Sequence, residues 1–255
     1  MDLTRTLDHI LLLAGTSEAR QLAKSIAQRF AAVRLTVSFA GVVKDLPDLG
    51  VPTRVGGFGG VDGLVSYLQE EGVDLIIDAT HPFAAQMSRH AVDAAGQTDT
   101  HLIRLERPIW HEVDGDTWQH VASTTAAAEA LPEKSRAFLS VGRKEIDKFT
   151  NRDDCFALVR MIEPPERPLP DHWHLVLERP SKSVDAERHL LKHHKITHLV
   201  TKNSGGASSY AKIEAARQLE VPLLMIKRPA LPDANTAAST AEVLKFIEQF
   251  VDCRD

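Results

Sequence analysis

Residues 9–20 read HILLLAGTSEAR, and this stretch decides the fold. Its first six residues form a short apolar run, which is typical of a buried strand in a parallel sheet. Gly15, Thr16 and Ser17 then predict a tight turn, in which either hydroxyl can cap the following helix. Alanine, leucine and isoleucine recur at helical spacing after the turn, and an alternating strand follows over 33–38. The opening is therefore a β-α-β unit.

The same alternation continues along the chain. A glycine-rich turn, GGFGG at 56–60, precedes an apolar helix, and further strands and helices follow as far as the strand at 101–105. After a connection over 106–123, a second series of strands and helices begins. Strands that alternate with helices predict an α/β protein with mainly parallel sheets flanked by helices. We expect two Rossmann-like domains, residues 1–111 and residues 112–255.

Composition excludes several classes of protein. The chain has 255 residues, and 30 Lys and Arg against 35 Asp and Glu give a formal net charge of −5. That balance argues against a general nucleic-acid binder, whose affinity depends on clustered positive charge. We find neither an apolar run long enough for a membrane span nor a secretory signal. Cys155 and Cys253 are far apart and suit a reducing cytoplasm, where we expect the protein.

Candidate binding residues follow the predicted strands, because ligands of open parallel sheets bind at the carboxyl ends of the strands. The turn at Gly15 predicts a pyrophosphate site, since glycine permits close approach and helix-start amides face an anion. An ordinary strand-to-helix turn is the alternative. After the second strand no acid appears before Asp45, which favours NADP over NAD if a dinucleotide binds. Ser38 and Lys44 are candidate partners of the 2′-phosphate, although a solvated surface lysine explains Lys44 better.

Two later turns also carry polar groups. Residues 202–206, KNSGG, expose donors that suit an anion or the ribose and amide groups of a cofactor, or simply form a glycine-rich helix entry. In the turn DATHP at 78–82, His81 can donate or relay a proton, or bond to a backbone carbonyl. Basic residues in such positions predict a site for a substrate with several carboxylates, with a solvated face as the alternative for each. They are Arg20, Arg104, Arg107, Arg143, Lys144, Lys148 and Lys202.

Six motifs run in order along nearly the whole chain. They are LLAGTSEAR at 12–20, GGFGG at 56–60, DATHPFA at 78–84, RLERP at 104–108, VGRKE at 141–145 and TKNSGG at 201–206. Together they resemble the precorrin-6A reductases of cobalamin biosynthesis. The resemblance implies NADPH-dependent reduction of one double bond of precorrin-6A, a tetrapyrrole, to give precorrin-6B. It also implies that residues 1–111 bind NADPH and that residues 112–255 complete a substrate cleft.

The turns and the resemblance together give the expected site. His81 and Lys202 are candidates for proton donation or positioning, and no metal site is expected, because the histidines near 189–198 lack a completing carboxylate or cysteine. Substrate contacts are expected from Arg104, Arg107, Arg143 and Lys144. Cofactor contacts are expected from Gly15, Thr16, Ser17, Glu18, Ser38, Lys44, Thr80, Lys202, Asn203, Ser204 and Gly205.

Two departures from the family pattern and several alternatives stay open at this point. Ala14-Gly15 stands where two glycines are common, and Val42 stands where an arginine often follows, which leaves the 2′-phosphate to Lys44 or Ser17. The alternatives are a reductase of the cobalt-containing ring and a non-catalytic NADP-binding regulator. The oligomeric state is open, a monomer included.

Overall fold

The chain forms two compact α/β units, one from Met1–Arg107 with Pro229–Asp255 and the other from Pro108–Arg228. The computed structural model describes residues 7–39, 41 and 48–251. Among those residues each unit contains a six-stranded sheet in which every pairing is parallel. The predicted α/β class, with parallel sheets flanked by helices, is confirmed.

The first unit has the strand order β12-β5-β4-β1-β2-β3. Its strands are β1 (His9–Ala14), β2 (Arg34–Phe39), β3 (Thr53–Val55), β4 (Leu75–Asp78), β5 (His101–Leu105) and β12 (Asn235–Ala237). Its helices are α1 (Ser17–Arg29), α2 (Val61–Glu71), α3 (Ala85–Thr98) and α7 (Thr240–Val251).

The central strand β1 shows why its sequence is continuously apolar. Successive side chains of a strand point to opposite faces of the sheet. Ile10 and Leu12 belong to the core that includes residues of α1 and α7, whereas Leu11 and Leu13 belong to the core with α2 and α3. Helices cover both faces, so every position of β1 is buried.

The C-terminal segment differs from the predicted division at residue 111, because it returns to the first unit. Strand β12 pairs with β5, with Thr236 opposite Arg104. Val243 and Ile247 of α7 are fully buried in the core that includes β1. Burial of that apolar helix face is the physical reason for the return, since the face would otherwise meet water.

The second unit has the strand order β6-β11-β10-β7-β8-β9. Its strands are β6 (Trp118–Val121), β7 (Arg136–Ser140), β8 (Phe156–Met161), β9 (His174–Leu177), β10 (His198–Lys202) and β11 (Leu223–Ile226). Its helices are α4 (Thr124–Ala130), α5 (Val184–His193), α6 (Ala211–Gln218) and a 3₁₀ helix over Arg143–Phe149. None of the helices in the described ranges of either unit is long and apolar enough to cross a membrane.

Candidate active site

Each sheet has one point where the strand order reverses, and the predicted site residues gather at these points. In the first unit the reversal lies between β1 and β4, which are followed by the turns containing Gly15 and His81. In the second unit it lies between β7 and β10, which are followed by Arg143 and Lys202. Such reversal points are where open α/β sheets bind ligands.

Thr16 joins the two turns of the first unit. Its hydroxyl accepts a hydrogen bond from the N–H of Ala19 at 3.1 Å, so Thr16, and not Ser17, is the N-cap of α1. The same hydroxyl donates to the carbonyl of Ala79 at 3.0 Å. A Cβ on Gly15 would lie 3.8 Å from the backbone nitrogen of His81. The start of α1 is therefore fixed against the turn that carries His81.

Glu18 and Arg107, predicted as a cofactor contact and a substrate contact, form an ion pair. Nη1 of Arg107 lies 2.7 Å from Oε1 of Glu18, and the Ser17 hydroxyl donates to Oε2 at 2.8 Å. Partial burial of Glu18 raises its pKa, but the hydrogen bond and positive charge of Arg107 outweigh that effect, so the pKa lies below its usual range. Arg107 thus compensates an ionised carboxylate beside the predicted phosphate site.

Arg104 acts within the protein on Asp78. Its Nε lies 3.4 Å from Oδ2 of Asp78, and both side chains are almost completely buried. Oδ1 of Asp78 accepts from the hydroxyl of Thr80 at 2.7 Å and from its N–H at 3.2 Å. Nη1 of Arg104 donates to the carbonyl of Pro232 at 3.1 Å, while buried Nη2 has no hydrogen-bond partner among the described residues. Arg104 therefore orders the turn that carries Thr80, and Nη2 is its remaining donor.

The orientation of His81 determines which ring nitrogen carries the proton. The N–H of Phe83 donates to Nδ1 of His81 at 3.2 Å. Nδ1 is therefore an acceptor, and the proton of the neutral imidazole lies on Nε2. The structural alternative predicted from the sequence was a bond from His81 to a backbone carbonyl. The bond to Nδ1 instead comes from a backbone N–H.

Beside the end of β2, the neighbouring strand β3 carries a cation, Arg54, that the sequence analysis did not single out. Ser38 is buried, and its hydroxyl accepts a hydrogen bond from Nη1 of Arg54 at 2.9 Å. Lys44, the other predicted phosphate partner, lies outside the described residues. In the sequence, the signal for Arg54 was its position two residues before the GGFGG turn. Its place beside the second strand follows only once β3 is recognised as the neighbour of β2.

Lys202 lies at the carboxyl end of β10, and its side chain is mostly buried. Its Nζ is 4.0 Å from Oε1 of Glu145, a residue of the VGRKE motif not predicted as part of the site. Burial lowers the pKa of Lys202, and the Glu145 carboxylate opposes that shift only in part. An ammonium group with a lowered pKa gives up its proton more readily, which suits the predicted role in proton donation.

The two other predicted cations of this unit differ in their surroundings. Arg143 contacts two carboxylates, with Nη1 3.3 Å from Glu163 and Nη2 3.6 Å from Glu166. Lys144 is exposed. Both belong to the 3₁₀ helix that follows β7, which places them at the same end of the sheet as Lys202.

The rest of the KNSGG turn serves the internal structure of the second unit. The Asn203 amide accepts from the N–H of Trp110 and donates to its carbonyl, both at 2.9 Å. Gly205 has φ +65°, and a Cβ there would lie 2.2 Å from the carbonyl oxygen of Pro108. Ser204 is buried. The predicted cofactor contacts at Asn203 and Gly205 thus coincide with groups that hold residues 108–110 in place, and sequence spacing alone could not separate these roles.

Lys212 of α6 is a buried titratable group that the sequence analysis missed. Its Nζ donates to the carbonyl of Ser209 at 2.9 Å and lies 5.3 Å from the Trp110 ring centroid. Burial lowers its pKa from 10.5 to about 7, with the charge of Arg160 acting in the same direction and Glu187 opposing it.

This burial predicts a pH-dependent stability. The unfolded chain binds more protons than the folded protein between the two pKa values, so this lysine makes stability rise with pH from about 7 to about 10.5. Lys212→Met should therefore be more stable than the wild type at about pH 6.5, and this advantage should shrink by about pH 9. Urea unfolding at both pH values, with exposed Lys192→Met as the control, measures it. An advantage that stays constant or grows with pH would contradict the assignment.

Across the described ranges, no group of three or more His, Cys, Asp or Glu side chains is placed to hold a metal ion. The imidazoles of His189 and His193, one turn apart on α5, stack with ring centroids 6.2 Å apart.

Comparison with known proteins decides the family. Residues 9–248 match the family described as precorrin-6x reductase CbiJ/CobK. The chain belongs to this family. A precorrin-6A reductase of Rhodobacter capsulatus is 44% identical over 241 residues, covering 93% of this chain and 95% of the relative. A cobalt-precorrin-6A reductase of Priestia megaterium is 34% identical over 248 residues, covering 91% and 95%.

A solved structure gives the same result. The structure described as CobK precorrin-6A reductase is 41% identical, has a TM-score of 0.89, and is matched over 96% of this chain and 97% of its own. The resemblance carried by the six motifs is confirmed, and the chain is an oxidoreductase of the precorrin-6A reductase family in cobalamin biosynthesis. Membership in a reductase family supports a nicotinamide cofactor and a tetrapyrrole substrate.

Proposed function

We propose that this protein reduces one double bond of precorrin-6A with NADPH to give precorrin-6B, in the cytoplasm. The observation that carries the proposal is identity of 44% and 46% to two precorrin-6A reductases over about nine-tenths of each chain. The test is an anaerobic assay of NADPH oxidation, followed by the absorbance of the dinucleotide, in the presence and absence of precorrin-6A. Tight NADPH binding without substrate-dependent oxidation would overturn it.

The first unit fits a dinucleotide. The first turn of any helix has N–H groups with no partner inside the helix, and these groups favour an anion. Here the turn before α1 holds Gly15, which is exposed and has no side chain to occupy the approach, and Thr16, which fixes the helix start. Arg107 offsets the nearby Glu18 charge that would oppose a pyrophosphate. NADPH, when bound, supplies the hydride.

The protein's own contribution is mainly to bind and orient. Exposed Lys144 lies at one end of the second sheet, together with the partly exposed Arg143 and Lys202, whose charges are partly offset by neighbouring glutamates. Cations of this kind suit the acetate and propionate arms of a tetrapyrrole. Reduction also requires one proton, for which Nε2 of His81 and Nζ of Lys202 are the candidate donors.

A cobalt-containing substrate is the second candidate. Three relatives named cobalt-precorrin-6A reductase are 34%, 25% and 23% identical to this chain, whereas the precorrin-6A reductases are 40–46% identical. This difference favours the metal-free ring. Parallel assays with precorrin-6A and cobalt-precorrin-6A separate the two, and faster turnover of the cobalt form would reverse the preference.

His81→Ala should slow turnover without abolishing it. General acids contribute about 10²–10⁴-fold, and here Lys202 or solvent can supply the proton instead. We therefore expect a loss toward the lower end of that range, measured as kcat with saturating NADPH. A loss of about 10⁴-fold or more would make His81 an indispensable acid.

Lys202→Ala should weaken binding of NADPH or substrate and leave the melting temperature nearly unchanged. The lysine is partly exposed, and its 4.0 Å contact with Glu145 is too long to contribute much to folding. Titration with NADPH, KM for precorrin-6A and a thermal melt measure the three quantities. A lowered melting temperature with normal binding would show that Lys202 is structural.

A further inference from the structure

We propose that Arg54 selects NADPH over NADH by binding its 2′-phosphate, and that the glycine-rich turn at 56–60 positions this arginine. The inference rests on the proposed function, because it requires a dinucleotide on the first unit. It also gives a role to the GGFGG motif, to which the proposed function assigns none.

The position of Arg54 follows from strand register. β2 and β3 are parallel neighbours, with Ser38 opposite Arg54. Residues opposite each other on adjacent strands point to the same face of the sheet, and here Nη1 of Arg54 reaches the Ser38 hydroxyl. In dinucleotide-binding folds the end of the second strand contacts the adenosine ribose, where an arginine accommodates a 2′-phosphate. Arg54 is therefore at the place where the two cofactors differ.

The guanidinium is held by neutral groups only. Besides Ser38, Nη1 donates to the carbonyl of Gly56 and Nη2 to that of Gly57, both at 3.1 Å. In the part of the chain that the structure describes, Arg54 has no carboxylate partner, unlike Arg104, Arg107 and Arg143. Its charge is therefore not compensated there by an acid.

The hydrogen bonds also leave one edge of the guanidinium for a ligand. Three of its five N–H groups are used by Ser38, Gly56 and Gly57. Nε–H has no partner among the described residues, and Nε together with Nη2 forms the edge of a guanidinium that binds phosphate oxygens in pairs. An arginine that presents this edge suits a phosphate monoester dianion better than a ribose hydroxyl.

The glycine-rich turn holds Arg54 in this orientation. The Phe58 ring lies 3.7 Å from the guanidinium carbon, and Tyr67 of α2 packs edge-on against Phe58. The turn folds tightly onto α2, because a Cβ at Gly63 would lie 1.8 Å from the Phe58 carbonyl oxygen. Two carbonyls and one aromatic ring of the same turn thus fix the arginine before any ligand arrives, which lowers the entropic cost of binding.

The test compares ligands that differ only in the 2′-phosphate. Calorimetric titration of the full chain uses NADP⁺ against NAD⁺, and adenosine 2′,5′-bisphosphate against 5′-AMP. In Arg54→Ala, affinity for the two 2′-phosphate ligands should fall by about 10- to 100-fold, as expected for lost charged hydrogen bonds, while affinity for the other two changes less than about twofold. Phe58→Leu should give a smaller loss with the same selectivity. Arg34→Ala, at the opposite end of β2, is the matched control and should leave all four affinities unchanged.

The outcomes separate this inference from the proposed function. A wild type that prefers 2′-phosphate ligands and keeps that preference in Arg54→Ala overturns the role of Arg54 alone. An equal loss for all four ligands, or a lowered melting temperature that accounts for the loss, also overturns it, since Arg54 would then be structural. A wild type without any 2′-phosphate preference overturns both NADPH as the cofactor and this inference.

Discussion

Glu187→Ala should lower the free energy of unfolding by about 3–5 kcal/mol, because it leaves a buried arginine without its buried carboxylate partner. Oε1 of Glu187 lies 2.7 Å from Nη1 of Arg160, and Oε2 lies 3.0 Å from Nη2. Oε1 also accepts the N–H of Ser181 at 3.0 Å. Both charged side chains are at most 3% exposed. Without Glu187 the positive charge of Arg160 is left uncompensated next to Lys212, whose pKa this charge already lowers.

Urea unfolding measures the loss, and the chain offers a matched control. Glu178 contacts the same Arg160 nitrogen at 3.5 Å but its side chain is 50% exposed, so Glu178→Ala should cost less than about 1 kcal/mol. The double variant Arg160→Met with Glu187→Leu should recover much of the stability, since the buried arginine is removed together with its buried carboxylate. Equal effects of Glu187→Ala and Glu178→Ala would show that burial does not set the strength of this pair.

Gly205→Ala should destabilise the protein by about 3 kcal/mol or more, through two separate costs. A side chain at φ +65° is strained by about 1–2 kcal/mol. The new Cβ would also lie 2.2 Å from the Pro108 carbonyl oxygen and 2.4 Å from Nη2 of Arg228, so the backbone around it must move. The same movement would disturb the KNSGG turn, which also contains Lys202 and Asn203.

Gly72→Ala measures the first cost alone. Gly72 has φ +60° and ψ +51°, in the left-handed region, and a Cβ there meets nothing within 4 Å in the described structure. Its substitution should therefore cost about 1–2 kcal/mol, from backbone strain alone. Thermal and urea unfolding give the free energy of unfolding of both variants. The difference between their losses measures the cost of the steric contact at Gly205. Similar losses in the two variants would mean that the Pro108 contact relaxes without cost.

The local predictions from sequence were accurate where a motif contains its own partners. Thr16 caps α1 through Ala19, which is only three residues away. The apolar run of β1 by itself indicates that the whole strand is buried. The cations around Lys202 were also identified, because they directly follow strands. The specific partner of each cation was not, since Arg107 pairs with Glu18 and Arg104 with Asp78 across large sequence separations.

The boundary of the first unit shows the same limit. Strand β12 is short and polar, so nothing in its three residues indicates that it pairs with β5. Arg54 was overlooked because β3 is also only three residues long, and only its pairing with β2 brings the arginine to Ser38.

The sequence alone determined the α/β class, the family and the ends of strands at which the candidate site lies, because period, caps and turn residues act over a few neighbouring positions. Only the tertiary structure decided which charges are paired, which of the KNSGG residues are internal, and that the last helix completes the first core. Those outcomes depend on distances between segments that are far apart in the chain, and strand order and packing set such distances.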